Sequence, residues 1–80
     1  MKIEVVGPGC RNCRQLLLNV EEALGQTAVQ AEVNKVQDMF EIANRGVNRT
    51  PAIIIDGELK LQGRVATVSE IAGWITPKTN

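Results

Sequence analysis

The pattern of this chain predicts an α/β domain of three layers, with a mixed four-stranded sheet between helices. Three observations predict it. The apolar period changes back and forth between strand and helix, in the order β-α-β-α-β-β-α. One run, Ala52-Ile53-Ile54-Ile55, is apolar throughout, as in a strand covered on both faces. Directly after it, Asp56-Gly57 is a two-residue hairpin signal leading into a further strand. The 80 residues make one domain, 1–80. A domain this small buries only about 60% of its unfolded surface, so packing must be efficient.

Lys2 to Val6 reads as the first strand, and Gly7-Pro8-Gly9 as a turn. From Arg11 a helix follows, with Cys13, Leu17, Val20 and Leu24 on one face and Leu16 and Ala23 beside them. Gly25 is the expected stop. Val29, Ala31 and Val33 then alternate with polar residues, which predicts a strand with one buried face. Val36, Met39, Phe40, Ala43 and Val47 form a second helical stripe that would put Met39 and Phe40 in the core, with Gly46 closing that helix. After the hairpin, Leu59 and Leu61 alternate with Lys60 and Gln62 in a half-exposed strand. Thr67-Val68-Ser69-Glu70 is a capping-box pattern. It opens a third helix with Val68, Ile71, Ala72 and Ile75 inward, and Pro77 is the expected stop. Trp74 reads as packing on this helix.

The patterns also order the strands. The alternating ones belong at the edges, and the first and third in the interior. The hairpin sets the fourth beside the third, and a right-handed crossover sets the second beside and parallel to the first. The result is order 2-1-3-4 with helices on both faces.

Nine basic residues balance nine acidic ones. This argues against a nucleic-acid binder, which needs a net positive face, and against a polybasic membrane anchor. No apolar run reaches the length of a membrane span. Met1-Lys2-Ile3-Glu4 enters a strand at once, without a signal-peptide core, so a cytoplasmic monomer is expected. In a reducing compartment two cysteines are more readily catalytic or metal-binding than a structural staple.

Both cysteines lie in Cys10-Arg11-Asn12-Cys13, at a junction between strand and helix. Disulfide exchange needs a thiolate, and a free cysteine has a pKa of about 8.5. Cys10 at a helix N-terminus would gain from unpaired N–H groups and the positive dipole end. Arg11 and Arg14 in the first turn are expected to lower its pKa further. Cys13 shares the face of Leu17, Val20 and Leu24, so it should be buried and Cys10 exposed. That assigns attack to Cys10 and resolution to Cys13. Thr50-Pro51 opens an interior strand, where proline cannot donate to the ladder, and a cis bond is the natural resolution.

The element order, the Cys10-x-x-Cys13 motif and the Thr50-Pro51 pair together resemble the thioredoxin fold. The likeness is closest to the small, glutaredoxin-like redox-active disulfide proteins of archaea and bacteria, and it covers essentially the whole chain. The resemblance implies a thiol–disulfide oxidoreductase in which Cys10 is the nucleophile and Cys13 the resolving thiol. It implies a cis-proline at Pro51, with the Thr50 backbone pairing to an extended substrate. It also implies a site glycine at Gly63. Gly9, directly before the motif, joins Thr50, Pro51 and Gly63 as a substrate-contact candidate. Thioredoxins carry a buried acid at the distance of Glu4. In a strand covered on both faces, Glu4 would have a raised pKa and could act as a base, the alternative being a solvated place near the strand's exposed start. The motif departs from Trp-Cys-Gly-Pro-Cys of thioredoxin and Cys-Pro-Tyr-Cys of glutaredoxins, and Gln62-Gly63-Arg64 stands where glutaredoxins have Gly-Gly.

The expected partners are a disulfide-bearing protein or small thiol and an electron-donating reductase or thiol pool. The expected redox group is the Cys10–Cys13 disulfide itself, with no other cofactor and no metal. Two alternatives stay open. Soft thiolates suit Cu(I) or Zn(II), although no Met precedes Cys10 as in copper chaperones, and zinc needs four ligands where the chain offers two Cys and no His. A non-catalytic redox adaptor with the same groove would be spared by Cys10→Ser, which abolishes an enzyme.

Overall fold

The computed structural model describes residues 1–76. The elements are β1 (Lys2–Val6), α1 (Arg11–Thr27), β2 (Glu32–Val36), α2 (Met39–Asn44), β3 (Ala52–Ile55), β4 (Glu58–Gln62) and α3 (Val68–Ile75). The sheet order is β2-β1-β3-β4. β1 runs parallel to β2 and antiparallel to β3, and β4 is antiparallel to β3. This is the predicted thioredoxin-like α/β arrangement.

The alternation of β1 divides the interior in two. Ile3 and Val5 join Leu16, Val20 and Ala23 of α1, Ile53 and Ile55 of β3, and Ile71 and Ile75 of α3 in one core. Val6 points the other way and packs with Val36, Ile42 of α2, Val47, Ala52 and Ile54. Every residue of β3 is buried, because it feeds both cores. That is why its sequence shows no alternation.

Four local expectations are corrected. Helix α1 runs past Gly25 to Thr27 and is closed by Ala28 in the left-handed region at φ 56°. The second strand begins at Glu32, so Val29 and Ala31 precede it and pack on the α1 core from the connecting segment. The second helix is shorter than its stripe. The Asp38 side chain accepts from the Phe40 and Glu41 N–H groups and starts the helix at Met39, leaving Val36 in β2. That phase turns Ile42 inward and leaves Met39 68% and Phe40 81% exposed. Finally, β4 does not alternate simply. The register moves from Ile53↔Leu61 to Ile54↔Leu59, so Lys60 is the extra residue of a β-bulge. Leu61 then packs on the α1 core and Leu59 on the α2 core.

The capping box of α3 forms as expected. Thr67 Oγ1 accepts from the Glu70 N–H, and the Glu70 carboxylate accepts from the Thr67 N–H. The helix reaches its C-cap at Thr76; Pro77 lies outside the described residues.

Acid sensitivity follows from two carboxylates. The Arg64 ion pair, with the Thr67 N–H, holds Glu70 at about 2. Hydrogen bonding from Arg45 lowers Glu4 below its ordinary 4.5. Both pKa values are depressed in the fold, so each carboxylate stabilises it above the unfolded pKa. That share is lost as pH falls from about 4.5 toward 2. We expect the melting temperature to drop through this window, and Glu70→Gln to flatten the drop. An E70Q melting profile as steep as that of the wild type would remove Glu70 from the account.

Candidate active site

The site is assembled where β1 gives way to α1. The Gly7 N–H donates to the Val36 carbonyl at 2.8 Å, extending the parallel ladder by one residue. The chain then turns through Pro8 and Gly9, the latter at φ +95°, a region open to glycine. Cys10 follows as the N-cap of α1 in extended conformation, and the Arg14 N–H donates to its carbonyl at 3.0 Å. Its Sγ accepts from the Cys13 N–H at 3.3 Å. The thiol thus does what a serine or aspartate does at other helix starts.

The two cysteines are free and unequal: Cys10 is exposed and Cys13 buried. The Cys10 pKa is lowered from its ordinary 9.0 by hydrogen bonding from the Cys13 thiol, then by the Cys13 backbone N–H, with the Asn12 N–H adding to it. Cys13 is raised, first by burial and then because its proton is held in the bond to Cys10. Deprotonation therefore falls on the outer sulfur.

Arg11 and Arg14 are exposed, and the leading causes that lower Cys10 are hydrogen bonds within the motif. The reading of Glu4 as a buried base with a raised pKa is corrected. Glu4 alternates onto the α2 side of β1 and accepts from Arg45 Nη2 at 2.8 Å and Nε at 3.2 Å. Its pKa is lowered, not raised. Cys13 sits on the α1 side of the same sheet, so Glu4 serves to tie α2 to β1.

Of the remaining candidates, Thr50, Pro51 and Gly63 lie together. The Thr50-Pro51 peptide is cis, with Thr50 exposed and Pro51 buried. The Gly63 N–H donates to the Pro51 carbonyl at 3.0 Å. Gly63 itself has φ +90°, and the Arg49 side chain lies against it. Gly9 faces the Gln37 amide. The junction of loop and motif is Gly7. A Cβ there would lie 3.4 Å from Cys13 Cβ and 3.5 Å from Thr50 Cβ, and would collide with Cys13 Sγ.

Gly7 and Gln62 are site-building residues that residue patterns did not single out. Gly7 was legible only as part of a turn. Gln62 was legible only as an outward residue of β4. Its Oε1 accepts from the N–H groups of Asn48 and Arg49, at 2.9 and 3.2 Å, and so holds the segment that delivers Thr50. Gln62→Leu keeps the bulk and loses the acceptor, and should cost about 0.5–1.5 kcal/mol. Because the loop would loosen, we expect KM for a protein disulfide to rise with kcat little changed. An unaltered KM would mean that the loop holds itself.

A dithiol whose outer sulfur is activated at a helix end, facing a proline loop across this sheet order, makes a thiol–disulfide oxidoreductase of thioredoxin fold. The chain belongs to the thioredoxin domain family, whose model, described as "Thioredoxin domain", matches residues 1–76. It is 42% identical over 71 residues to a thioredoxin of Methanothermobacter thermautotrophicus, an alignment covering 89% of this chain and 92% of that protein. It is 36% identical over 69 residues to a thioredoxin of Methanocaldococcus jannaschii, covering 86% and 79%. Thioredoxins act on disulfide substrates and receive their electrons from a reductase. Among the described residues, no helix is long and apolar enough to cross a membrane. Nor do three or more His, Cys, Asp or Glu side chains gather there as a metal-ligand group.

Proposed function

We propose that this protein reduces disulfides in proteins or small thiols by a two-step exchange. The Cys10 thiolate attacks one sulfur of the substrate disulfide. A Cys10–substrate disulfide forms, the substrate S–S bond breaks, and the first substrate sulfur leaves as thiolate. Cys13 then loses its proton and attacks Cys10 Sγ. The Cys10–Cys13 disulfide forms and the second substrate sulfur leaves. Two electrons have passed from the dithiol to the substrate, and a reductase or thiol pool returns them to Cys10–Cys13. The protein works as a cytoplasmic monomer, with that disulfide as its only redox group. Thr50, Pro51, Gly9 and Gly63 bound the surface on which the substrate lies, and the free backbone of Thr50 offers it a strand partner.

The observation that carries this reading is the inequality of the two sulfurs, one exposed with a lowered pKa and one buried with a raised pKa. Iodoacetamide should alkylate Cys10 first, with a pH midpoint below that of a free cysteine thiol. Labelling of Cys13 before Cys10 would overturn the assignment. Equilibration with a glutathione redox buffer then distinguishes the two styles of exchange. A strongly reducing value belongs to thioredoxin-like reduction, a less reducing one to glutaredoxin-like exchange.

A further inference from the structure

One cavity in the molecule adjoins the dithiol. It has a volume of about 420 Å³, and Cys13, Gly7 and Gly9 are among its lining residues. Its walls are Val5 of β1 with Leu17 and Leu18 of α1. Its charged lining residues are Arg14 and Lys35, both cationic, and neither makes an ion pair among the described residues.

The groove has a topological origin. β2 is an edge strand, and Lys35 is in register with Val5, so it shares the α1 side of the sheet. Lys35 is exposed and lines the groove with Val5. Leu18 borders it while 58% exposed. Glu4, Asp38 and Glu41 lie on the α2 side of the sheet, and Glu21 and Glu22 of α1 are exposed one turn beyond Leu18, so Arg14 and Lys35 are the charges that line the groove itself. An inward lysine on an edge strand also discourages strand pairing. That role does not call for Leu18 and Arg14 to border the same cleft, nor for Cys13 to line it.

We infer that this groove docks the flank of a protein substrate: an acidic segment that carries an aliphatic side chain beside the reacting cysteine. The inference rests on the exchange reaction proposed above and adds the substrate class. The apolar walls take the aliphatic side chain, and Lys35 and Arg14 face the carboxylates.

The test uses the reduced protein in single turnover with three disulfide peptides of equal length. The cysteine is flanked by Leu and Glu in the first, by Leu and Lys in the second, and by Ser and Gly in the third. A neutral small disulfide serves as a fourth substrate. We expect the acidic peptide to react faster than the basic one by about two- to fivefold per charge. The ratio should shrink between about 20 mM and about 500 mM salt. Lys35→Gln should bring the acidic-to-basic ratio toward one, and Leu18→Gln should reduce the advantage of the acidic peptide over the Ser/Gly peptide. Equal rates for acidic and basic peptides at low salt, or a ratio unmoved by K35Q, would overturn the docking groove while leaving the exchange reaction intact. Failure of the neutral disulfide to react would overturn the exchange reaction itself, and the groove with it.

Discussion

Cys10→Ser is expected to abolish disulfide reduction, whereas Cys13→Ser should react once and stop. The reason lies in where each sulfur sits. Cys10 is the exposed N-cap of α1, and its anion is favoured by hydrogen bonds from the Cys13 thiol and the backbone of the first turn. A serine hydroxyl can cap the helix equally well, so the fold should survive while the nucleophile is lost. Thiolate is the reactive form, and a hydroxyl in the same place is not ionised near neutral pH. In Cys13→Ser the outer thiol remains, but nothing resolves the Cys10–substrate disulfide. Mass spectrometry should find that adduct accumulating in stoichiometric amount. Cys13→Ala leaves no donor in place of the thiol and so removes the leading cause of the lowered Cys10 pKa; alkylation of Cys10 in that variant should shift to higher pH. Full turnover by Cys10→Ser would sink the assignment. An unshifted alkylation profile in Cys13→Ala would show the helix backbone to be sufficient.

Gly7→Ala should be costly for a single methyl group, at about 1–3 kcal/mol of stability. The new Cβ would collide with Cys13 Sγ and stand 3.5 Å from Thr50 Cβ. Cys13 is 5% exposed, so its sulfur has little room to retreat. For a chain of this length, whose whole stability is about 4–12 kcal/mol, that is a large fraction. The specific cause can be isolated with a double-mutant cycle. In a Cys13→Ala background the sulfur is gone, and the cost of Gly7→Ala should shrink by about 0.5–3 kcal/mol. An equal cost in both backgrounds would place the clash elsewhere. The functional counterpart is a slower second step, because displacing Cys13 moves it relative to Cys10. The first step, read by alkylation of Cys10, should change less.

Exposure of Phe40 and Met39 shows where periodicity misleads. Counting apolar residues from Val36 to Val47 produces a coherent stripe, but Val36 belongs to a strand and the stripe crosses an element boundary. The boundary is set by the Asp38 cap, a local hydrogen-bond device that outweighs a hydrophobic count over one and a half turns. The Leu59–Leu61 pair misleads in a different way. Two-residue spacing implies one face, and the bulge at Lys60 sends the leucines to opposite cores. Neither error touched the site, because the motif and the Thr50-Pro51 pair are defined by residue chemistry rather than by phase.

The amino-acid sequence alone determined the element order, the order of the strands, the outward Cys10 and inward Cys13, and the proline loop. Each of these follows from local rules: apolar period, turn chemistry, and the geometry of crossovers and hairpins. The tertiary structure decided what acts on the sulfurs. Arg11 and Arg14 are next to Cys10 in sequence, yet the bonds that favour its anion come from Cys13 and the helix backbone. Glu4 is on a buried strand, yet it faces Arg45 across the other side of the sheet. Gly7 and Gln62 gain their roles only when α1 and the segment before Pro51 are laid against them. Electrostatic and steric effects depend on distance and direction in space, and a strand that alternates faces separates in space what it joins in sequence.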